Sequence, residues 1–233
     1  MPYTNLTQFD HAVLDNSLLL LREGRSSKLY LAESKIIVIK ELLERDIWDK
    51  FKSILWGSRA RRAWRANEFL KSSGFNVLEV VDIVENSAFF RSERSLLVTR
   101  YHENSSSLAE FFSRVSGRIR RYRVIRHLAL EVAKMHTSGF AHDDMNLGNI
   151  LLSSDDCRLI WTDVERVRKS ISGKFGIYSS QSKKNLRQLA KLEVGLSKKE
   201  MVYFLKCYLK HSEVDWSRCR IDDFAKLSKS SLF

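Results

Sequence analysis

HDDMNLGNILL, residues 142–152, sets two aspartates side by side ahead of a run of branched apolar residues. Adjacent carboxylates repel, and a carboxylate beside an apolar wall loses hydration. Asp144 and Asn149 stand five residues apart in this loop. The segments NILLSS (149–154) and CRLIWTD (157–163) read as short strands joined by the turn SSDD, which puts Asp163 at the end of a hairpin. Asp and Asn also favour plain turns through side-chain capping. What separates the two readings is a lysine far upstream. KIIVIKEL (35–42) reads as the third of three strands and carries Lys40 at its inner end. Phosphoryl transfer uses these kinds of group: a carboxylate for the hydroxyl proton, oxygens for Mg²⁺, and a cation on the nucleotide phosphates. Mg²⁺ keeps several waters, so one carboxylate and one amide suffice from the protein.

Working outward, SLLLLREG (17–24), SKLYLAES (27–34) and KIIVIKEL predict an antiparallel meander. From 44 to 75 the apolar residues recur at three and four: Ile47, Phe51, Ile54 and Leu55, then Trp64, Phe69 and Leu70. This predicts two helices broken near Gly57 and Ser58, with Gly74 as a stop. Strands are predicted again at 77–84, 87–92 and 95–102. After residue 103 the pattern is mostly helical: 107–115, 121–139, and stretches near 181–192, 197–211 and 221–231. A strand-rich front and a helix-rich back predict a bilobal α+β protein with a cleft between lobes. The expected domains are an N-terminal lobe, 1–102, and a C-terminal lobe, 103–233.

The 233-residue chain has no apolar run near the length of a membrane span, and its first residues do not read as a signal peptide. Three scattered cysteines (Cys157, Cys207, Cys219) suggest reduced thiols, not a disulfide framework or a zinc site. A net charge of +12 predicts an anionic partner. No recognition helix or RNA-binding motif supports nucleic acid. The basic residues gather at SRARRAWR (58–65), at Arg114 to Arg126, and at RVRKSISGK (166–174). A charge run is often only a solvated face. The functional reading of these is an anionic membrane surface or a phosphorylated saccharide. Trp48 and Trp56, with Lys50 and Lys52 on the same helix, are further candidates for membrane contact.

His142, Asp144, Asn149 and Asp163, with Lys40 in the strand VIK, resemble the catalytic loop, metal-binding aspartate and lysine strand of the protein-kinase-like fold. SRARRAWRANEFLKSSGF, FAHDDMNLGNILL, LIWTDVERVR and YFLKCYLK extend the resemblance to the bacterial lipopolysaccharide-core kinase (Kdo/WaaP) family, over about residues 20 to 212. The resemblance implies that Asp144 is the base on the acceptor hydroxyl. Asn149 and Asp163 would hold Mg²⁺, and Lys40 would contact the ATP α- and β-phosphates. VTRYHE (98–103) would be the adenine-contacting hinge. His142 is expected to hold the loop through backbone hydrogen bonds, and Asp143, in a slot where many kinases carry arginine, to point elsewhere.

There are departures from the kinase pattern. Only Gly24 stands where protein kinases carry a glycine-rich loop. The helix slot that in relatives often holds a glutamate for the lysine falls on Ala63, so Glu68 is the expected partner of Lys40. The Asp–Phe–Gly triplet reads DVE, 163–165. The expectation is an ATP- and Mg²⁺-dependent kinase acting on a Kdo or heptose hydroxyl of the lipopolysaccharide inner core. It would work in the cytoplasm, peripherally on the inner membrane of a Gram-negative bacterium; oligomeric state is left open. The alternatives are a kinase for another small molecule or a protein, and an inactive kinase-like regulator.

Overall fold

The computed structural model describes residues 5–34, 36–44, 46–85, 94–154, 158–169, 180–190 and 196–212. The expected strand at 87–92 and helix at 221–231 lie outside them, as do the side chains of Trp48, Lys50 and Lys52 and most of the basic run after Lys169. The chain divides into two compact units, residues 1–103 with 163–165, and residues 104–162 with 166–233.

The first unit is built on helix α1 (Leu6–Leu14), strands β1 (Leu18–Glu23), β2 (Ser27–Ala32) and β3 (Ile37–Leu43), helices α2 (Ile47–Trp56) and α3 (Arg59–Ser72), and strands β4 (Val80–Glu85) and β5 (Arg94–Arg100). The strands form one antiparallel sheet in the order β1-β2-β3-β5-β4, so β3 is central. Successive side chains of a strand face opposite sides. Ile37 and Ile39 enter a cluster with Leu6 and Phe9 of α1, Leu18, Tyr30 and Val98. Leu42 enters the other, with Ala60 and Ala63 of α3 and Leu97. Lys40, two residues before Leu42 and paired across the ladder with Leu97, shares the α3 side. The sequence reading missed α1. It is short, but Leu6 and Phe9 keep helical spacing, and Asn5 caps it by accepting from Gln8 N at 2.9 Å.

The break between α2 and α3 falls where expected. Gly57 takes φ +83°, a conformation that favours glycine. Ser58 then caps α3, its hydroxyl accepting from Arg61 N at 3.2 Å. Ala60, Ala63, Asn67 and Leu70 are the buried positions of α3, which fixes the rotation of the helix against the sheet.

The second unit contains β6 (Ser105–Ser107), α4 (Leu108–Arg114), α5 (Arg118–Thr137), β7 (Phe140–His142), β8 (Ile150–Ser153), β9 (Leu159–Trp161), β10 (Val167–Lys169), α6 (Ser180–Leu189) and α7 (Lys198–His211). The predicted hairpin is β8–β9, extended by β6, and β7 pairs with β10. Helix α5 buries Ile125, Leu128, Val132 and Met135 along one stripe, and Phe204 and Tyr208 of α7 are buried as well. Arg121 of α5 and Glu200 of α7 form an ion pair at 2.6 Å, both side chains largely covered.

Candidate active site

In the first unit Lys40 is the centre. Its amine donates to Asp163 Oδ1 and to Glu165 Oε1 and Oε2, the latter two at 3.3 and 3.4 Å. The side chains of Lys40 and Glu165 are only 14% and 11% exposed. Burial alone would pull the amine below its usual range, but the carboxylates of Glu165 and Asp163 outweigh it and hold the amine above that range. Lys40 is therefore a fixed cation. Glu165 is shared with a second one, Arg59 at the start of α3, whose Nη2 lies 3.5 Å from Oε1. Arg59 is itself anchored: Nη1 donates to Leu43 O at 2.8 Å and to Ser26 O at 3.3 Å. Asp163 has φ +53°, the left-handed region that Asp tolerates better than most residues.

The expected pairing of Lys40 with Glu68 is corrected by this geometry. Glu68 follows the buried Asn67 on α3 and is exposed. The rotation that seats Ala60 and Ala63 on Leu42 and Leu97 turns position 68 away from the sheet. The carboxylate that partners the lysine comes instead from Glu165, two residues after Asp163, a residue the sequence reading noted only as a departure from the kinase triplet. An acid close behind the metal-type aspartate was the available signal.

In the second unit the loop after β7 is held by its own side chains. His142 is fully buried, and its Nδ1 accepts from Asp144 N at 3.1 Å while Nε2 lies 3.3 Å from Thr162 O. The ring stacks on Trp161. His142 thus fixes the loop backbone, as expected. Asn149 Nδ2 donates to Asp144 O at 2.9 Å and approaches Asp144 Oδ2 at 3.4 Å. Asn146 closes the turn between them, accepting from Gly148 N at 2.9 Å. The amide of Asn149 is spent on the loop, which leaves its Oδ1 as an oxygen donor. The Asp144 carboxylate is 41% exposed, with Arg166 Nη1 3.6 Å from Oδ2.

Asp143 turns away from Asp144. It accepts from Arg168, from Gln181 Nε2 at 2.8 Å and from Lys184 at 3.4 Å. Burial would raise its pKa, but Arg168 and Lys184 bring it below the usual carboxylate value. The two adjacent aspartates avoid repulsion by facing different partners. Behind the loop, Asn185 of α6 donates to His142 O, and its Oδ1 accepts from His142 N at 3.2 Å. That oxygen also receives His136 Nε2 at 3.1 Å, while His136 Nδ1 pairs with Tyr208 Oη at 2.7 Å. Gln188 accepts from Met145 N and donates to Asp143 O. Asn185 and Gln188 were not foreseen; they support the loop from a helix forty residues away in sequence.

In the first unit Asp163 offers a carboxylate oxygen, and in the second Asn149 offers an amide oxygen; each is a hard donor of the kind Mg²⁺ takes.

Residues 24–208 match the model of the lipopolysaccharide kinase (Kdo/WaaP) family. No curated protein matches the chain. Among solved structures, one described as WaaP in complex with acyl carrier protein aligns over 95% of this chain and 91% of its own, with a TM-score of 0.65 and 20% identity. At that identity the likeness establishes the fold: an α+β, protein-kinase-like architecture with an antiparallel-sheet lobe and a mainly helical lobe.

Proposed function

Because the chain belongs to the lipopolysaccharide kinase (Kdo/WaaP) family, a family of phosphotransferases, we propose that it transfers the ATP γ-phosphoryl group to a Kdo or heptose hydroxyl of the lipopolysaccharide inner core. The observation that carries this reading is the pair of prearranged carboxylate sets, Lys40 with Asp163 and Glu165 in one unit, and Asp144 with Asn149 in the other. Residues 1–102 serve the nucleotide, and residues 103–233 supply the catalytic loop.

Each residue has a distinct task. Lys40, held charged, meets the α- and β-phosphates. Glu165 and Arg59 keep its amine in place. Asp163 and Asn149 are the ligands for Mg²⁺, which neutralises phosphate charge when bound. Asp144 orients the acceptor hydroxyl and takes its proton. Its solvent exposure and the neighbouring Arg166 suit a site that receives an anionic saccharide. Bond breaking in the loose transition state needs little covalent help, so positioning and charge supply most of the rate. The protein works in the cytoplasm, peripherally on the inner membrane, where such an acceptor is carried. The similar solved structure holds WaaP together with acyl carrier protein, which makes an acyl carrier protein a candidate partner here.

The test is phosphate transfer from ATP, with Mg²⁺, to purified core oligosaccharide, run beside aminoglycosides and a protein acceptor. Mass spectrometry should find one added phosphate on the oligosaccharide alone. Transfer only to another acceptor, or nucleotide binding with no transfer to any, would replace this reading.

A further inference from the structure

Residues 114 to 126 hold six arginines and no acid. Arg121 is the inward one: it pairs with Glu200 and donates to Phe112 O at 2.5 Å and Val115 O at 3.0 Å. The other five, Arg114, Arg118, Arg120, Arg123 and Arg126, are exposed, and among the described residues none has a carboxylate partner. Two of these guanidinium groups rest on aromatic rings. Arg118 lies over the Tyr122 ring at 5.4 Å and Arg120 over the Phe111 ring at 5.5 Å. In their midst Ile119 is 80% exposed. Gly117, Arg118, Ile119, Arg120, Arg123 and Val124 line an open concavity of about 550 Å³.

This arrangement opposes folding taken alone. Like charges three and four residues apart repel. The first turn of α5 holds no acid, and its positive dipole end disfavours the cations placed there. An isoleucine standing free among cations gains nothing from water. An external anionic surface with an apolar layer beneath it reverses each of these terms.

We infer that this face of the second unit, Arg114, Arg118, Arg120, Arg123 and Arg126 around Ile119, docks on an anionic lipid bilayer. The inference rests on the proposed function, in which the acceptor is lipid-borne. The guanidinium groups of α5 span about 12 Å along the helix from residue 118 to residue 126, a spread suited to several headgroups and not to one phosphate. Ile119 enters the boundary between headgroups and acyl chains, while the stacked arginines meet lipid phosphates. No described helix is long and apolar enough to cross a membrane, so attachment through this route is peripheral.

The experiment uses the full chain with vesicles of phosphatidylcholine alone and vesicles with phosphatidylglycerol added. Co-sedimentation should be confined to the anionic vesicles and should fall as salt rises. The variant R118Q/R120Q/R123Q should weaken that binding by at least roughly tenfold, since each basic residue contributes about fivefold near an anionic surface. I119D should weaken it further, with circular dichroism and melting like the wild type for both. The ratio of turnover on vesicle-borne lipopolysaccharide to turnover on soluble core oligosaccharide should fall in parallel. Equal binding of the wild type to both vesicle types, or wild-type binding by the triple variant, overturns the inference. So does binding that these substitutions abolish for an acidic protein or for RNA but not for vesicles. Failure of the wild type to phosphorylate the oligosaccharide would count against the function while leaving the vesicle result readable on its own.

Discussion

Lys40 Nζ lies 3.3 and 3.4 Å from the two carboxylate oxygens of Glu165, so the acid that steadies the lysine is two residues from Asp163 and not on α3. One short segment therefore supplies both the expected metal ligand and the lysine's partner. E165Q keeps the shape and removes the charge. It should raise KM for ATP and lower kcat/KM by about tenfold, the scale of one charge-assisted hydrogen bond. E68Q should stay near wild type, because Glu68 is exposed. Steady-state kinetics at varied ATP compares them, and the reverse ranking would return the partner role to Glu68.

Asp144 and Asp163 should separate chemistry from nucleotide binding. D144N should lower kcat by about 10²- to 10⁴-fold, the usual range for losing a positioned general base. Its affinity for Mg²⁺–ATP, measured by calorimetry, should hold. D163N should lose the Mg²⁺-dependent part of that affinity. Transfer by D144N at the wild-type rate would remove Asp144 from the base role.

The candidate residues of the two units differed in how far the sequence disclosed them. The loop from Asp144 to Asn149 was legible because its contacts are local: Asn149 Nδ2 reaches Asp144 O within five residues, and His142 reaches Asp144 N within two. The β3 strand was legible because alternation marks which residues share a face. Glu165 was misjudged because partner choice depends on the rotation of α3, and that rotation is set by Ala60 and Ala63 packing on residues far away in sequence. Asn185 and Gln188 carry no motif at all; only tertiary packing brings α6 to the loop. The helix α1 was hidden by its length, since nine residues give two turns of pattern and little more.

Breaking the pair of Arg121 and Glu200 from one side should cost the second unit stability. Glu200 serves twice, as the partner of Arg121 and as the capping-box acid that accepts from Ser197 N at 2.8 Å. Its hydrogen bond from Arg121 leads the causes that bring its pKa down to about 2. E200A would remove the carboxylate that lies 2.6 Å from Arg121 and unseat the start of α7. The expected loss is about 3 kcal/mol, the lower end for breaking a covered ion pair from one side. E200Q retains part of the cap and should lose less. Urea unfolding of both variants checks the order, and equal midpoints for E200A and the wild type would refute the assignment.

His136 should make stability depend on pH between about 4 and 6.5. Burial lowers its pKa to about 4 against a partly opposing hydrogen bond with Asn185. The unfolded imidazole takes up a proton near its ordinary value of about 6.5. Between these values the unfolded state binds more protons, so stability rises with pH there. The contribution is complete above the unfolded value and is lost as pH falls toward the folded one. The slope is about 1.4 kcal/mol per pH unit at its steepest, or roughly 3 kcal/mol over the whole interval. Glu200 adds little above pH 5, because its unfolded value is 4.5 and its folded value is lower. Urea midpoints taken between pH 5 and 6.5 therefore separate His136 from Glu200, and the H136Q variant separates it from the other five histidines. The wild type should weaken as pH is lowered across that range, and H136Q, which cannot take a proton, should be less stable at pH 7 but change less with pH. A wild-type curve as flat as that of the variant would mean that the imidazole does not stay neutral between Tyr208 and Asn185.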